Sequence, residues 1–187
     1  MIPTLIALAV VVLLLVIYVI MTYNGLVVIR NHIRDAWANV DTELKRRYDL
    51  IPNLVETAKG YAKHESETLE KVVALRNQCR ANNGSPAQQA TTEKLLVSSL
   101  NGLFALAENY PDLKANTNFQ QLQQELVNTE DRIQAARRFY NGNVRDYRNK
   151  TQSFPSNVIA SAFGFQAMAE EFFEVEPVER QAVQVKF

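Results

Sequence analysis

Several features that reveal an enzyme in a sequence are missing from this chain. Its single cysteine, Cys79, cannot form an internal disulfide and fits a reducing compartment. Its two histidines, His32 and His64, lie outside any His-Glu-x-x-His motif and do not follow a glutamate by three residues, so zinc-protease and di-iron patterns are absent. There is no glycine-rich phosphate loop and no nucleophile elbow. We therefore expect no catalytic residue, no metal and no cofactor.

The chain also has no net charge, because 20 lysines and arginines are balanced by 20 aspartates and glutamates. Non-specific binding of nucleic acid depends on an excess of basic side chains that neutralise phosphates. We therefore exclude nucleic acid as a partner.

One long apolar run opens the sequence. Residues Leu5 to Met21 are apolar except for Tyr18, and the first charged side chain is Arg30. A helix from Ile2 to about Val28 is long enough to cross the roughly 30 Å hydrocarbon core of a bilayer. A secretory signal peptide would have a basic start and a small-residue cleavage site, and neither occurs here. We expect residues 1–28 to remain as a transmembrane anchor.

The rest of the chain has helical signals and almost no strand signals. We expect residues 29–173 to form one helical domain, and residues 174–187 a flexible tail. Two capping boxes, Ser85 to Gln88 and Thr117 to Gln120, mark helix starts. The pattern predicts four long helices: from the membrane to about Ala62, from about Glu65 to Asn82, from Pro86 to about Glu108, and from Thr117 onward.

The helix that begins at Thr117 carries a seam with helical spacing over about five heptads. The seam consists of Phe119, Leu122, Leu126, Thr129, Ile133, Ala136, Tyr140, Asn143, Tyr147 and Phe154. Short turns favour antiparallel neighbours. The predicted fold is all-α: an N-terminal transmembrane helix, then an antiparallel up-and-down four-helix bundle with long helices and a C-terminal helical segment.

The stretch LKRRYDLIPNLVE places three bases and a proline inside the first helix of the bundle. Apolar residues keep their helical spacing through Pro52, so the proline should bend the helix without ending it. We expect Asn53 or a water to bind the carbonyl of Tyr48, which the proline leaves without a donor. Acidic residues three or four positions away favour the interpretation that the three bases form a solvated, paired face.

An alternative is an anion or small-ligand pocket at the Pro52 bend. The residues that would converge there are Arg46, Arg47, Asn53 and Glu56, with Arg137 or Arg138.

The C-terminal helical segment carries more aromatic surface than one face can cover. Val158, Ala162, Phe165, Met168 and Phe172 share a stripe that can pack on the bundle. Ile159, Phe163 and Phe173 fall outside this stripe. We expect these three residues to form a surface for a partner, a second copy of the chain or the bilayer. The alternative is that a loop or the tail after Glu174 covers them within one chain.

Several stretches spread over the chain form one recognisable pattern. They are Tyr23 to Val27, Ala36-Trp37, Leu44 to Arg47, Asp49 to Glu56, ENYPDLKAN, TEDRIQAARRFYN and FPSNVIASAFGF. Together they resemble the LemA family over nearly the whole chain, with small departures at Leu75 and Arg148. The resemblance implies a single-span bacterial membrane protein with an antiparallel helical bundle. It brings no catalytic residue.

Three functions remain open. The anchor, the bundle and the lack of a catalytic constellation favour a membrane-anchored, non-catalytic helical scaffold or adaptor. The family's association with HtpX-like metalloproteases implies a regulator of a membrane protease as an alternative. The third is a hydrolase, or a sensor of a small ligand or anion, with a pocket at the Pro52 bend. The corresponding partners are the membrane, a second copy of the chain, and a membrane protease or another membrane protein.

The basic residues predict the orientation in the membrane. No lysine or arginine precedes the span, whereas Arg30, Arg34 and the bases Lys45 to Arg47 follow it. Because positive flanks are retained in the cytoplasm, the N-terminus should lie outside and the bundle in the cytoplasm. The resemblance places the protein in the bacterial cytoplasmic (inner) membrane.

This orientation predicts that a thiol at position 83 is protected in intact cells. In a Cys79→Ala background, Asn83→Cys should react with a membrane-impermeant maleimide only after the cells are permeabilised. Labelling of intact cells would reverse the assigned orientation.

Overall fold

The computed structural model describes residues 2–62, 64–167, 172 and 173, and the regular structure in these ranges is helical. The all-α prediction is therefore confirmed. The tail predicted at 174–187 lies outside the described residues. The helices are α1 (Ile2–Tyr61), α2 (Ser66–Ala81), α3 (Pro86–Ala107), α4 (Pro111–Lys114), α5 (Thr117–Gln152) and α6 (Ser156–Ala162), followed by a 3₁₀ turn at Phe165–Ala167.

The apolar run forms the start of α1. Among the described residues, α1 is the one helix that is long and apolar enough to cross a membrane, with a mean hydropathy of 3.2 over its most apolar stretch. The helix does not end at the predicted anchor boundary at residue 28 but continues to Tyr61. The span and the first long helix of the folded part are thus one helix.

The chain divides into two compact units. The first unit comprises Met1–Val40 and Ala136–Glu170, and the second unit comprises Asp41–Ala135 and Glu171–Phe187. In the first unit, α1 and α5 run in opposite directions. Trp37 of α1 lies against Tyr140 of α5, with ring centroids 5.2 Å apart, whereas Gly25, earlier on α1, lies beside Lys150 near the end of α5.

The second unit has its own apolar core. Leu44, Ile51 and Leu54 of α1, Leu69 and Val72 of α2, Leu96, Leu100 and Leu103 of α3, and Phe119, Leu126 and Ile133 of α5 are buried. Here too α1 and α5 are antiparallel, because Arg46 lies near Glu125 whereas Tyr61 accepts a hydrogen bond from Asn116. The up-and-down arrangement of four helices as a whole stays a prediction.

One of the two predicted capping boxes is confirmed. Ser85 accepts a hydrogen bond from the backbone N–H of Gln88, and the Gln88 side chain accepts one from the backbone of Ser85. The box at Thr117 is wrong, because Asn116 caps α5 by accepting a hydrogen bond from the Phe119 N–H at 3.0 Å. An asparagine at this position is as good a cap as threonine, and it moves the cap back by one residue.

Most of the predicted seam of α5 is buried, but Leu122, Ala136 and Asn143 are only half-buried, and the prediction is wrong at the end of the seam. Phe119, Leu126, Thr129, Ile133, Tyr140 and Tyr147 are buried, whereas Phe154 is 83% exposed. The helical spacing no longer applies to Phe154, because α5 ends at Gln152. Val144 is fully buried, although the predicted seam did not include it.

The helix continues through Pro52, as predicted. The carbonyl of Tyr48, which would bind the N–H of residue 52 in a regular helix, accepts a hydrogen bond from the Nε of Arg76 at 3.0 Å. The donor is therefore a charged side chain on α2, which was not among the predicted donors, Asn53 or a water. Arg76 thus attaches α2 to α1 at the proline.

We expect the cost of losing Arg76 to depend on Pro52. Arg76→Ala should lower the free energy of unfolding by about 1–3 kcal/mol, because the Tyr48 carbonyl is left without a donor. In a Pro52→Ala background, the new N–H of residue 52 can bind this carbonyl, and the cost of Arg76→Ala should fall to about 1 kcal/mol or less.

Denaturant unfolding followed by circular dichroism measures both steps, with the exposed Arg80→Ala on the same helix as a control. An equal cost in both backgrounds would show that Arg76 does not replace the hydrogen bond missing at the proline.

Candidate functional site

A buried cluster of charged and polar groups lies in the second unit. The Arg47 side chain on α1 donates hydrogen bonds to Glu93 of α3 and, at 2.6 Å, to Glu130 of α5. The hydroxyl of Tyr48 donates a second hydrogen bond to Glu93. Arg47 is only 2% exposed, and Glu93 is buried as well. The cluster therefore connects three helices through one guanidinium group.

Desolvation and the charge of Glu130 shift the pKa of Arg47 in opposite directions. Burial lowers the pKa of Arg47, and the negative charge of Glu130 raises it. Burial also raises the pKa of Tyr48 well above its ordinary range, so its hydroxyl stays protonated and acts as a donor. One guanidinium thus faces two carboxylates, a pairing that offsets the desolvation of all three groups.

The three consecutive bases have three different environments. Lys45 forms the predicted pair with Asp41 at 2.6 Å on the exposed surface. Arg46 lies 3.9 Å from Glu125. The prediction of a solvated face is wrong for Arg47, because a position between Leu44 and Ile51 on the buried side of α1 points it toward α3 and α5.

The residues of the predicted anion pocket are only partly brought together. Both terminal nitrogens of Arg47 already bind carboxylates, those of Glu130 and Glu93. These negative charges disfavour the binding of an anion beside Arg47. Asn53 and Glu56 are exposed, and the Asn53 carbonyl accepts a hydrogen bond from Thr57. Arg137 and Arg138 belong to the first unit.

A small pocket of about 150 Å³ adjoins the cluster. Arg47 and Glu130 form its polar side, and side chains such as Leu100, Phe104 and Leu126 form its apolar side. The Nε of Arg47 is buried without a hydrogen-bond partner. This volume is ample for water, which is the simplest acceptor for that N–H.

Two larger grooves lie on the surface of the second unit. The α2–α3 groove, of about 800 Å³, is lined by residues that include Leu75, Leu95 and Leu106. The α1–α2 groove, of about 420 Å³, is lined by Val55, Lys59, Ala62, Ser66, Leu69, Glu70, Val73, Ala74 and Asn77. Within the described part of the chain, no group of three or more His, Cys, Asp or Glu side chains is placed to hold a metal ion.

Cys79 is buried with Leu69 and Val72 on α2, whereas Val73 is exposed. Burial raises the pKa of the Cys79 thiol, although a hydrogen bond with Thr92 lowers it in part. A thiol that stays protonated is a poor nucleophile. Cys79 therefore acts as a small core residue.

The three residues of the predicted partner surface, Ile159, Phe163 and Phe173, differ in exposure. Phe163 is 55% exposed, whereas Ile159 and Phe173 are buried, and Val158 of the supposed core stripe is 61% exposed. The exposure expected of Ile159 and Phe173 is therefore wrong. The stripe assumed one continuous helix, but α6 ends at Ala162 and Gly164 adopts φ +75°, which changes the direction of the chain.

Sequence reasoning missed Glu93 and Glu130 as partners of Arg47. A signal was present for Glu93, which falls in phase with Ala90, Leu96 and Leu100 on the buried face of α3. An acid inside one apolar stripe and a base inside another indicate a buried pair. Glu130 gave no such signal, because it lies beside the seam of α5 and is partly exposed.

The comparison with known proteins decides the family. The sequence model of the LemA family matches residues 36–187. The chain belongs to the LemA family. It is 28% identical to Protein LemA of Metamycoplasma hominis over an alignment of 160 residues. The alignment covers 84% of this chain and 71% of that protein.

Magnetosome proteins are also similar to this LemA-family chain. It is 25% identical over 203 residues to Magnetosome protein MamQ of Magnetospirillum gryphiswaldense, over 94% of this chain and 74% of that protein. It is 25% identical over 183 residues to Magnetosome protein MamQ 2 of Paramagnetospirillum magneticum, over 84% of this chain and 66% of that protein. The chain thus spans between 66% and 74% of the length of these three relatives.

We expect Arg47→Met to destabilise this LemA-family chain strongly. Removing the guanidinium leaves two carboxylates without their cation, at a cost of about 3–5 kcal/mol in the free energy of unfolding. Lys45→Met, which removes a base from an exposed pair, should cost about 1 kcal/mol or less. Denaturant unfolding followed by circular dichroism measures both.

The triple variant Arg47→Met, Glu93→Leu, Glu130→Gln should recover most of the loss, because no uncompensated charge remains. If Arg47→Met were as mild as Lys45→Met, the cluster would not be what stabilises the second unit.

Proposed function

We propose that the protein is a membrane-anchored, non-catalytic helical scaffold or adaptor. Its helical units lie on the cytoplasmic side of the bacterial inner membrane, and it binds a segment of another membrane protein. Membership of the LemA family and the apolar start of α1 support the membrane association.

The observation that carries the proposal is the continuity of α1. The same helix provides the apolar span and, at Arg47, the residue that attaches α1 to α3 and α5. A protein that positions a partner at a membrane needs a direct connection between its anchor and its folded part. Here α1 itself, from Ile2 to Tyr61, provides that connection.

The buried polar groups support a structural role. Arg47, Glu93 and Tyr48 bind one another, so their hydrogen-bonding capacity is directed into the packing of helices. An acid or base in catalysis must instead reach a substrate. The cluster therefore supports rigidity in the second unit, and its Arg47, Tyr48 and Glu93 groups are buried away from any substrate.

The α1–α2 groove is the surface that we assign to the partner. Val55, Ala62 and Val73 give it an apolar floor, and Lys59 and Glu70 place one charge of each sign in its lining. An amphipathic helix can bury its apolar face on such a floor and pair its flanking charges with the two side chains. The occupant that fits is a helical segment of a membrane protein.

The two alternatives are separated by different observations. The sensor of an anion loses its main support, because Arg47 is already bound to Glu93 and Glu130. A regulator of a membrane metalloprotease is a special case of the adaptor, in which the partner is a protease of the HtpX-like type. The identity of the partner distinguishes the two.

The test is purification of the tagged full-length chain from native membranes in a mild detergent, followed by mass spectrometry. We expect Val73→Glu, which places a charge on the groove floor, to lose the membrane-protein partner that the wild type retains. Gln78→Glu is the matched control, because it adds the same charge to an exposed position of α2 outside the groove. It should retain the partner.

Both variants should melt within a few degrees of the wild type, since both positions are exposed. Equal loss of the partner in both variants would show that charge and not the groove governs binding. If a membrane-protein partner stayed bound to Val73→Glu, the groove assignment would be wrong. If no membrane protein accompanied the wild type, the adaptor function itself would be wrong.

A further inference from the structure

Within the first unit, the buried part of α1 begins where the apolar run ends. Ile2 to Met21 are 20 residues, which as a helix span about 30 Å, the thickness of the hydrocarbon core. Thr22, the next residue, is the first buried residue of α1. The packed part of the first unit therefore starts at the surface of the membrane.

The segment that follows α5 packs at this end of α1. The ring centroid of Tyr23 lies 5.1 Å from that of Phe163 and 5.5 Å from that of Phe165. The ammonium group of Lys150 lies beside Gly25, where a side chain Cβ would collide with it. These contacts fix α6 and its flanking turns at the level of residues 23 to 25.

An exposed apolar surface lies on this segment, and we call it the α6 face. It consists of Phe154, Val158 and Phe163, each more than half exposed. Phe163 uses one edge of its ring on Tyr23 and leaves the rest uncovered. Uncovered aromatic and β-branched side chains close to a membrane surface require an apolar or interfacial environment.

The distances place the α6 face in the headgroup layer. This layer extends roughly 5–8 Å beyond the hydrocarbon core on each side. Tyr23 lies two residues, about 3 Å, beyond Met21, and Phe163 contacts its ring. A register in which the membrane extends to Val28 would place the face deeper, still in contact with lipid.

The charges near the face also suit a membrane surface. Between Gly142 and Gln166 the chain has three bases, Arg145, Arg148 and Lys150, and one acid, Asp146. An excess of basic residues next to a span is attracted to anionic headgroups.

We propose that the α6 face inserts into the boundary between headgroups and acyl chains beside the span, and so forms a second contact with the bilayer. Phe154, Val158 and Phe163 enter the lipid, while Lys150 pairs with anionic headgroups. The contact is independent of the α1–α2 groove and of the partner assigned to it. It holds the first unit against the membrane surface.

Tryptophan fluorescence in the full-length chain tests this contact. The chain has a single tryptophan, Trp37, so Trp37→Phe leaves a background in which one new tryptophan reports its own surroundings. The vesicles contain phosphatidylcholine and phosphatidylglycerol with acyl chains brominated near the headgroup, because bromine quenches tryptophan on contact. We expect Phe163→Trp and Phe154→Trp to be quenched several-fold more than Phe139→Trp.

Phe139 is the matched control. It is 60% exposed and on α5, but it lies 13 residues before the end of the helix, about 20 Å along the axis. If Trp37→Phe weakens the fold, the same comparison can be made with Trp37 retained, by subtracting its constant contribution.

Two results would overturn the proposal. In one, Phe163→Trp and Phe139→Trp are quenched equally, so that the α6 face is in water. In the other, Phe163→Trp is shielded from brominated lipid at high protein density and its emission shifts to the red on dilution into excess lipid, so that a second copy of the chain covers the face.

Discussion

Burial of the Arg47 guanidinium is the constraint on which the second unit depends. A charge that is removed from water must be compensated inside the protein, or the fold is lost. Glu93 and Glu130 provide this compensation from two different helices, and Tyr48 provides a further donor to Glu93. Apolar contacts between helices tolerate small shifts along the axis, whereas a guanidinium that binds one carboxylate on each of two helices tolerates them less. The cluster therefore specifies the register of α1 against α3 and α5.

A second polar contact between helices, made by Arg76, depends on Pro52, about one helical turn beyond the cluster on α1. The proline removes a backbone donor next to the cluster, and the Nε of Arg76 replaces it from α2. Arg47 thus attaches α1 to α3 and α5, and the Tyr48 carbonyl attaches it to α2. Two neighbouring residues of α1 in this way provide polar contacts to three other helices. The proline leaves the Tyr48 carbonyl able to accept a hydrogen bond from a side chain of a neighbouring helix. A helix that a proline bends without such a partner does not gain this contact.

The helices could be predicted from the sequence because apolar spacing, capping residues and proline act locally. Ser85 and most of the seam from Phe119 to Tyr147 were correct for this reason. The partners of Arg47 and of the Tyr48 carbonyl lie 28 to 83 residues away, and no local pattern specifies them. Ile159 and Phe173 were misassigned because the predicted stripe assumed one continuous helix, whereas α6 ends at Ala162 and Gly164 follows at positive φ. Local rules thus predicted the elements, and the long-range polar contacts of the candidate site required the structure.

The abrupt start of packing at Thr22 affects how the chain tolerates changes in length. A residue added to a helix rotates everything beyond it by roughly 100° and moves it by about 1.5 Å. Before Thr22, nearly every side chain is exposed on all sides of the helix, so such a rotation changes no specific contact within the chain. After Thr22, the same insertion would turn Leu26, Ile33 and Ala36 away from the core of the first unit. We therefore expect insertions and deletions in α1 to accumulate before Thr22 and not after it.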